Sequence, residues 1–207
     1  MTLGCRSGLL AERGNGEARG LPRTPEDSRG VRGTSLRLEL VKHNRQRRGA
    51  TPKITPNLWF DTNGLEAAEF YVSVFPNSAI TDITYYGEAG PGPAGTVLTV
   101  EFKLDGRPFT VINGGPAFTF SEAISFLIEC QDQDEIDYYW EKLSAGGEKS
   151  QCGWLKDRCG VSWQVCPAAM KQILNDSDPG RAERAMRAML SMGKIDLAAL
   201  HTAADRA

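Results

Sequence analysis

The sequence of 207 residues predicts an α+β fold built from paired βαβββ modules. Two stretches carry the apolar spacing of an amphipathic helix, and their first apolar residues, Ala67 and Ile136, stand 69 positions apart. A short β-like run precedes each stretch, and further strands follow it. Because chance seldom repeats four positions of a helix face together with the preceding strand, this internal repeat is the strongest indication of the fold.

The first helix is predicted from four apolar residues at positions i, i+3, i+4 and i+7, which are Ala67, Phe70, Tyr71 and Val74. Asn63 and Glu66 have the spacing of a capping box at its start. Pro76 cannot continue a helix, so the helix is expected to end before it.

The second helix is predicted from the same spacing, in Ile136, Tyr139, Trp140 and Leu143. Asp132 and Glu135 form the second predicted capping box, and Gly146 and Gly147 mark the end of the helix. The two helices therefore share their start signal as well as their apolar stripe.

Strands complete each module. In the first, strands are predicted at 54–61, 80–86, 96–104 and 109–113, with a Gly/Pro loop at 87–95. In the second, the clearer strands are at 124–130, 152–157 and 161–167, with a weaker one at 148–151. The second module is thus a shortened copy of the first.

Alternating polarity indicates which face of each strand is covered. Val100 and Phe102 alternate with Thr99 and Glu101, as expected when helices cover one face of a sheet only. Trp163 likewise alternates with polar neighbours in the last strand. The polar faces are predicted to line a shared concave surface, where a small ligand could bind.

Domain organisation follows from composition. Residues 1–52 are predicted to be a disordered, basic N-terminal extension, because residues 1–50 hold 11 Lys and Arg against 5 Asp and Glu and no aromatic ring. Residues 53–207 form the predicted domain, with modules at about 53–115 and 121–167 and a C-terminal helical segment at about 178–204. The extension is interpreted as a translated upstream segment, with a transit peptide as the alternative.

Charge and cysteine usage exclude several classes. A net charge of −2 argues against a nucleic-acid partner, and no apolar run is long enough to span a membrane. The 5 cysteines are odd in number and form no CxxC pair, so reduced thiols and a cytoplasmic location are expected.

Several stretches resemble a known family, namely ITPNLWFD, EFYVSVFPNS, INGGPAFTFSEAISF, DYYWEKLSAGG, QCGWLKDRCGVSWQVCP and AMRAMLSMGKID. They are similar to the PhnB-like branch of the vicinal oxygen chelate, or glyoxalase, superfamily, often labelled 3-demethylubiquinone 3-methyltransferase. The resemblance covers about residues 53–200 and implies that the paired modules curl into an open barrel with an internal cavity.

The superfamily places metal ligands on the first, fourth, fifth and eighth strands. Carried over by position, these fall at Pro56 or Asn57, near Asn113, at Ser125 and at Gln164. None is a His or a carboxylate, and neutral Ser, Asn and Gln are weak ligands for divalent ions. The sequence therefore predicts no metal site and no cofactor.

The candidate ligand-binding residues are Asn113, Phe118, Phe120, Ser125, Trp154 and Gln164. The aromatic residues offer flat surfaces to a planar ligand, and the others offer hydrogen bonds. Cys152 is the one candidate for catalysis, because Lys149 and Lys156 are close in sequence. The alternative is that Cys152 is a small, half-buried strand residue.

The sequence thus predicts a protein that binds a small aromatic or oxygenated metabolite in a barrel cavity, and it leaves open whether a reaction is catalysed. The alternatives are an S-adenosylmethionine-dependent quinol methyltransferase and a metal-dependent lyase, isomerase or dioxygenase. A homodimer is expected, with Met186 and Met189 supplying apolar contact surface.

Overall fold

The computed structural model describes residues 53–206, so the predicted extension at 1–52 lies outside the described residues. The first module comprises β1 (Asn57–Phe60), α1 (Gly64–Val74), β2 (Ala79–Tyr85), β3 (Val97–Leu104) and β4 (Arg107–Asn113). The second comprises β5 (Phe126–Cys130), α2 (Gln133–Ser144), β6 (Glu148–Lys149), β7 (Trp154–Lys156) and β8 (Ser162–Pro167). Three helices follow: α3 (Met170–Leu174), α4 (Pro179–Ser191) and α5 (Leu197–Asp205).

Each module forms a sheet with the same strand order. The first sheet runs β1-β4-β3-β2 and the second runs β5-β8-β7-β6. In both, the first and last strands of the module pair in parallel, and the remaining neighbours are antiparallel. The predicted α+β fold of paired βαβββ modules is confirmed, and the two sheets do not close into a complete barrel.

The two helices begin differently. The Asp132 side chain accepts a hydrogen bond from the Glu135 backbone N–H at 2.9 Å, so the predicted cap of α2 is confirmed. The predicted capping box of α1 is wrong, because the Asn63 side chain makes no capping bond. Instead the Asn113 side chain, at the end of β4, accepts the Gly64 N–H at 2.9 Å.

One apolar core joins the modules. The helix-covered faces of both sheets, together with α1 and α2, contribute to it through a chain of aromatic rings formed by Tyr71, Phe75, Phe102, Phe109, Phe126 and Trp163. The Tyr71 ring lies 6.3 Å from that of Phe102 on β3 and 5.7 Å from that of Trp163 on β8. The other face of each sheet, called here its outer face, therefore points away from the shared core.

A buried carboxylate lies at the junction of the modules. Asp157 is 2% exposed and accepts hydrogen bonds from the backbone N–H groups of Cys159 and Val161 and from the Trp163 indole, at 2.8, 3.1 and 2.8 Å. Burial raises the pKa of Asp157, and the hydrogen bond from Trp163 opposes the shift. The carboxylate thus holds the turn between β7 and β8 and the indole of Trp163, whose ring packs against that of Tyr71 on α1.

The C-terminal helices form a small core of their own. Ala185, Leu200 and Ala204 are buried there, with Met189 packed against them. The segment before α5 fastens this unit to the second module, because Gln133 donates to the Ile195 carbonyl at 3.1 Å and accepts the Leu197 N–H at 2.9 Å.

Candidate functional site

Three of the predicted ligand-binding residues meet on the outer face of the second sheet. Gln164 Nε2 donates to Ser125 Oγ at 2.8 Å. Trp154 is the antiparallel cross-strand partner of Gln164, so its indole lies on the same face. Ser125, Gln164 and Trp154 therefore form a continuous strip, defined here as the Gln164 strip. All hydrogen-bonding groups in this strip are neutral.

The Gln164 strip is bordered by polar groups. Lys156 pairs with Ser162 across the ladder, and its ammonium forms an ion pair with Glu122 at 2.5 Å. The hydrogen bond within this ion pair lowers the pKa of Glu122 and raises the pKa of Lys156.

The Ser162 hydroxyl is buried without a hydrogen-bond partner in the described part of the chain. A ligand that reaches it would satisfy an unpaired polar atom.

A cleft of about 430 Å³ opens beside the strip. It is lined by Cys152, Trp154 and Lys156 together with the β6 strand and Glu122. Cys152 was expected in a strand, and that expectation is wrong: its φ of 59° places it in the left-handed region, in a turn before β7. The turn interrupts the strand because Cys152 donates its N–H to the Met192 carbonyl at 2.8 Å.

The matching strip of the first sheet has different chemistry. Trp59 pairs with Ile112 in the β1 and β4 ladder, as Leu127 pairs with Gln164 in β5 and β8. Ile112 therefore occupies the fourth-strand position on the outer face, where the sequence placed Asn113. Asn113 has the opposite orientation because strand residues alternate between faces.

Asn113 is 4% exposed, and its amide bonds only to backbone groups in the described residues. Its Nδ2 donates to the carbonyls of Thr62 and Val97, both at 3.1 Å, and its Oδ1 accepts from Gly64. Both donors of the amide are thus used, and the observed geometry assigns Asn113 to holding the start of α1.

The segment between β4 and β5, called here the linker, carries two predicted aromatic residues that occupy different environments. Phe118 is 66% exposed and packs edge-on against Trp59, with ring centroids 5.1 Å apart. Phe120 packs against Phe60 at the same distance, at the margin of the core. Only Phe118 offers a large open surface.

The sequence did not indicate the larger cleft, of about 560 Å³, at the start of α1. Tyr86 forms part of its wall, and the Tyr86 hydroxyl donates to the Asn113 carbonyl at 2.5 Å. The Gly/Pro loop folds over that ring, since a Cβ at Gly92 would lie 2.6 Å from it. The Gly/Pro loop after Tyr86 could be recognised in the sequence as a loop. A loop sequence does not specify which aromatic ring it will cover, so the cleft itself was not predictable.

The metal ligands that the resemblance implies do not fit this site. Asn57, Ile112, Ser125 and Gln164 stand on the outer faces where a divalent ion would need imidazole or carboxylate. Among residues 53–206, no group of three or more His, Cys, Asp or Glu is placed to hold a metal ion. No helix in the same range is long and apolar enough to cross a membrane.

The repeated βαβββ modules and their parallel β1/β4 and β5/β8 pairs define a protein of the glyoxalase, or vicinal oxygen chelate, class. The family model described as 3-demethylubiquinone-9 3-methyltransferase matches residues 52–166, more than half of the chain. The chain belongs to this family, in its PhnB-like branch.

The chain is also similar to several solved structures. A Bacillus cereus protein described as a 3-demethylubiquinone-9 3-methyltransferase, PhnB protein, is 38% identical, with a TM-score of 0.52; the match covers 56% of this chain and 100% of that one. A Pseudomonas aeruginosa protein is 20% identical, with a TM-score of 0.47, over 56% of this chain and 98% of its own. The fosfomycin resistance protein FosX of Listeria monocytogenes is 16% identical, with a TM-score of 0.38, over 56% and 91%. No curated protein matches this chain.

Proposed function

We propose that this PhnB-like protein binds a small aromatic or oxygenated metabolite against the Gln164 strip, without a divalent metal ion. The observation that carries the proposal is the hydrogen bond between Gln164 and Ser125, at two positions where the superfamily places metal ligands. An amide and a hydroxyl that satisfy each other offer no negative charge to a cation. They retain a free amide donor and acceptor lone pairs for an oxygenated ligand.

The surroundings of the strip match such a ligand. Trp154 supplies a flat apolar surface next to the Gln164 amide, and ring stacking adds about 0.5–1.5 kcal/mol beyond area burial. Lys156 lies beyond Trp154 on β7, where it can attract a carboxylate or phenolate oxygen in exchange for Glu122. A planar ring with an oxygen substituent would use all three groups.

The proposal includes a homodimer in which the cavity forms between two copies. Within one chain the helix-covered faces of both sheets pack into the same core, so the two outer faces cannot enclose a cavity together. The second outer face and the linker before it expose Leu127, Ile124 and Phe118 at 55%, 75% and 66%. Covering these side chains with the first sheet of another copy would bury apolar area and complete a barrel.

The predicted contribution of Met189 to the dimer surface is less suited to this role. Met189 packs against the small C-terminal core of its own chain, whereas Met186 stays 38% exposed. We therefore assign the main dimer contact to the sheet faces. A Leu127→Glu variant should sediment as a monomer where the wild type sediments as a dimer, and a monomeric wild type at high concentration would refute the homodimer.

Ligand binding can be tested with 4-hydroxybenzoate, a planar ring with a hydroxyl and a carboxylate, by titration calorimetry. Trp154→Ala and Gln164→Ala should each weaken binding about tenfold, equivalent to about 1.4 kcal/mol. His201→Ala, an exposed change on α5, is the matched control. Native mass spectrometry of protein from its own cells extends the test: a retained molecule that both variants hold as tightly as the wild type would contradict the proposed site.

The proposal that the protein binds its ligand without a divalent metal ion is tested separately. After dialysis against Mn²⁺, Ni²⁺ or Zn²⁺, elemental analysis should find no stoichiometric ion. One tightly held ion per chain that is lost in Gln164→Ala would contradict the proposal, because it would make the amide part of a metal site.

Methyl transfer, which the family description names, remains the alternative function to exclude. The usual S-adenosylmethionine site places a Gly-rich loop between a parallel strand and a helix. Here the Gly/Pro loop joins β2 and β3, which are antiparallel. Calorimetry should show no S-adenosylmethionine binding, and saturable stoichiometric binding would favour the methyltransferase.

We place the protein in the cytoplasm, where free thiols such as its four described cysteines stay reduced.

A further inference from the structure

The hairpin that joins β6 and β7 has a strained tip. Trp154 donates its N–H to the Gln151 carbonyl at 3.0 Å, and the two residues between them have φ angles of 59° (Cys152) and 79° (Gly153). These angles are those of a type I′ turn, which favours Asn, Asp or Gly at its first central position. A cysteine there holds its backbone in a strained conformation that non-glycine residues seldom adopt. Strain of this kind is typical of positions where the side chain has a role.

A second cysteine lies opposite this tip. The Val165 N–H donates to the Gly153 carbonyl at 2.8 Å, and Trp154 pairs with Gln164 in the same antiparallel register. Cys152 directly precedes Gly153 and Cys166 directly follows Val165, so the two cysteines flank this hydrogen bond. The Cys166 sulfur lies against the hairpin tip, since a Cβ at Gly153 would stand 3.3 Å from it.

We propose that Cys152 and Cys166 are a redox pair that forms a disulfide when the protein meets a peroxide. The Cys152 thiolate attacks one oxygen of hydrogen peroxide, the O–O bond breaks, and a sulfenic acid and hydroxide form. The hydroxide takes up the proton that the Cys152 thiol had released and becomes water. The Cys166 thiol then attacks the sulfenic sulfur, and its proton leaves with the sulfenic hydroxyl as the second water. The pair loses two protons and two electrons, and hydrogen peroxide is reduced to two waters.

The order of the two attacks follows from the surroundings of Cys166. Burial, with a smaller contribution from the charge of Cys152, raises the pKa of Cys166 to about 11, so its sulfur stays protonated at neutral pH. Cys152 is the residue of the pair that borders the cleft. Cys152 is therefore the sulfur that peroxide reaches first, and Cys166 is the resolving sulfur.

The other described cysteines are not placed to compete. Cys130 is fully buried and faces the core, and burial raises its pKa to about 12. Cys159 lies in the turn after β7 beside Asp157, and burial raises its pKa to about 11. Neither stands opposite the hairpin tip, so a cross-link to Cys152 should be selective for Cys166.

The disulfide would join the hairpin tip to β8 at the margin of the Gln164 strip. Cys166 is two residues from Gln164 on β8, and Cys152 is two residues from Trp154 on β7. The bond would therefore tether the two strands that carry the strip. This inference stands without the proposed function, because it rests on the position of Cys152 in the hairpin tip and of Cys166 beside that tip.

The test uses the full chain treated with hydrogen peroxide and then with a thiol-blocking maleimide. Under denaturing conditions the oxidised protein should show two fewer free thiols than the five of the reduced chain. Peptide mapping without reductant should find one cross-linked pair that contains Cys152 and Cys166, and dithiothreitol should release it. Cys152→Ser and Cys166→Ser should each abolish the cross-link, whereas the matched control Cys159→Ser should retain it.

Three results would overturn the inference. They are a cross-link between other cysteines, oxidation of Cys152 to sulfinic or sulfonic acid without a cross-link, and five intact thiols after treatment. Because the decisive measurement is made on the wild-type chain, a variant that fails to fold does not affect it.

Discussion

The two modules share their topology but anchor their helices by different means. In the second module the start of α2 is capped locally by Asp132, an exposed side chain three residues from its donor. In the first, the start of α1 is held by Asn113, which is buried and comes from a strand 49 residues further along the chain. The two copies of the repeat thus preserve the packing of their apolar faces, while their polar anchors differ.

The modules also differ in where they bury polar groups. The second module holds Asp157 in the junction and places Gln164 on its outer face, where the first module has Ile112. Buried polar groups need their hydrogen bonds, so their removal should cost more than the removal of exposed ones. Variants can therefore rank the anchors by their contribution to stability.

Replacing Asp157 is expected to have the largest effect. Asp157→Ala would leave three buried donors without an acceptor, and the free energy of unfolding should fall by about 3 kcal/mol. Denaturant unfolding would measure this loss. Tyr71→Phe is the control, because it keeps the ring and removes a buried hydroxyl that has no hydrogen-bond partner among residues 53–206. An equal loss in both variants would contradict this, because it would show that the Tyr71 hydroxyl matters to the junction as much as the carboxylate.

The pH dependence gives a second test of Asp157. Since its folded pKa is raised above the ordinary 3.8, the folded state binds the proton more tightly than the unfolded state. This contribution to stability is fully present below about 3.8 and is lost as the pH rises through the folded pKa. The stability difference between wild type and Asp157→Asn should shrink across that interval, and a difference that grows would contradict the raised pKa.

Asn113 and Asp132, which hold the starts of α1 and α2, should have the next largest effects on the free energy of unfolding. Asn113→Ala removes three hydrogen bonds from a buried site and should cost about 2 kcal/mol. Asp132→Ala removes one exposed cap and should cost about 1 kcal/mol. Unfolding in denaturant would compare the two. If the exposed cap cost as much as the buried amide, the proposed difference between the modules would be wrong.

These differences explain what the sequence could predict. Helix stripes such as Ala67 to Val74 follow a fixed period, so both helices and the succession of elements in each module were predictable. The role of Asn113 was not, because its partners Gly64, Thr62 and Val97 are brought together only by the tertiary fold. The sequence at Asn63 matches the capping-box pattern. In the structure, the buried Asn113 side chain makes the hydrogen bond to the start of α1 instead.

The residues of the candidate site divide in the same way, into those that the sequence could place and those that only the tertiary fold determines. Ser125 and Gln164 were both predicted to line the cavity, because the resemblance assigned them to one set of strand positions, and the structure shows that they are hydrogen bonded. Cys152 was misplaced in a strand, since a Cys-Gly pair at a turn resembles a strand end unless the tertiary contact to Met192 is known.

Gln164→Ile copies the residue of the first module into the second and should change stability little. An isoleucine leaves the Ser125 hydroxyl without its donor but removes a half-buried amide, so the net change should stay within about 1 kcal/mol. Binding of 4-hydroxybenzoate should nevertheless weaken about tenfold, as in Gln164→Ala. Large destabilisation would show that the Gln164 strip has a structural role that Ile112 does not have in the first sheet.

The smallest effect is expected at Glu122, the exposed counterpart of the buried Asp157. The hydrogen bond from Lys156 lowers the pKa of Glu122 below the ordinary 4.5, so its contribution is present above about 4.5 and is lost as the pH falls through the folded pKa. The pH dependence thus has the opposite sign to that of Asp157. Because water and salt screen an exposed pair, Glu122→Gln should leave the midpoint of denaturant unfolding unchanged at neutral pH. A clear loss of stability that high salt does not remove would show that the linker is held on the second sheet more firmly than an exposed ion pair allows.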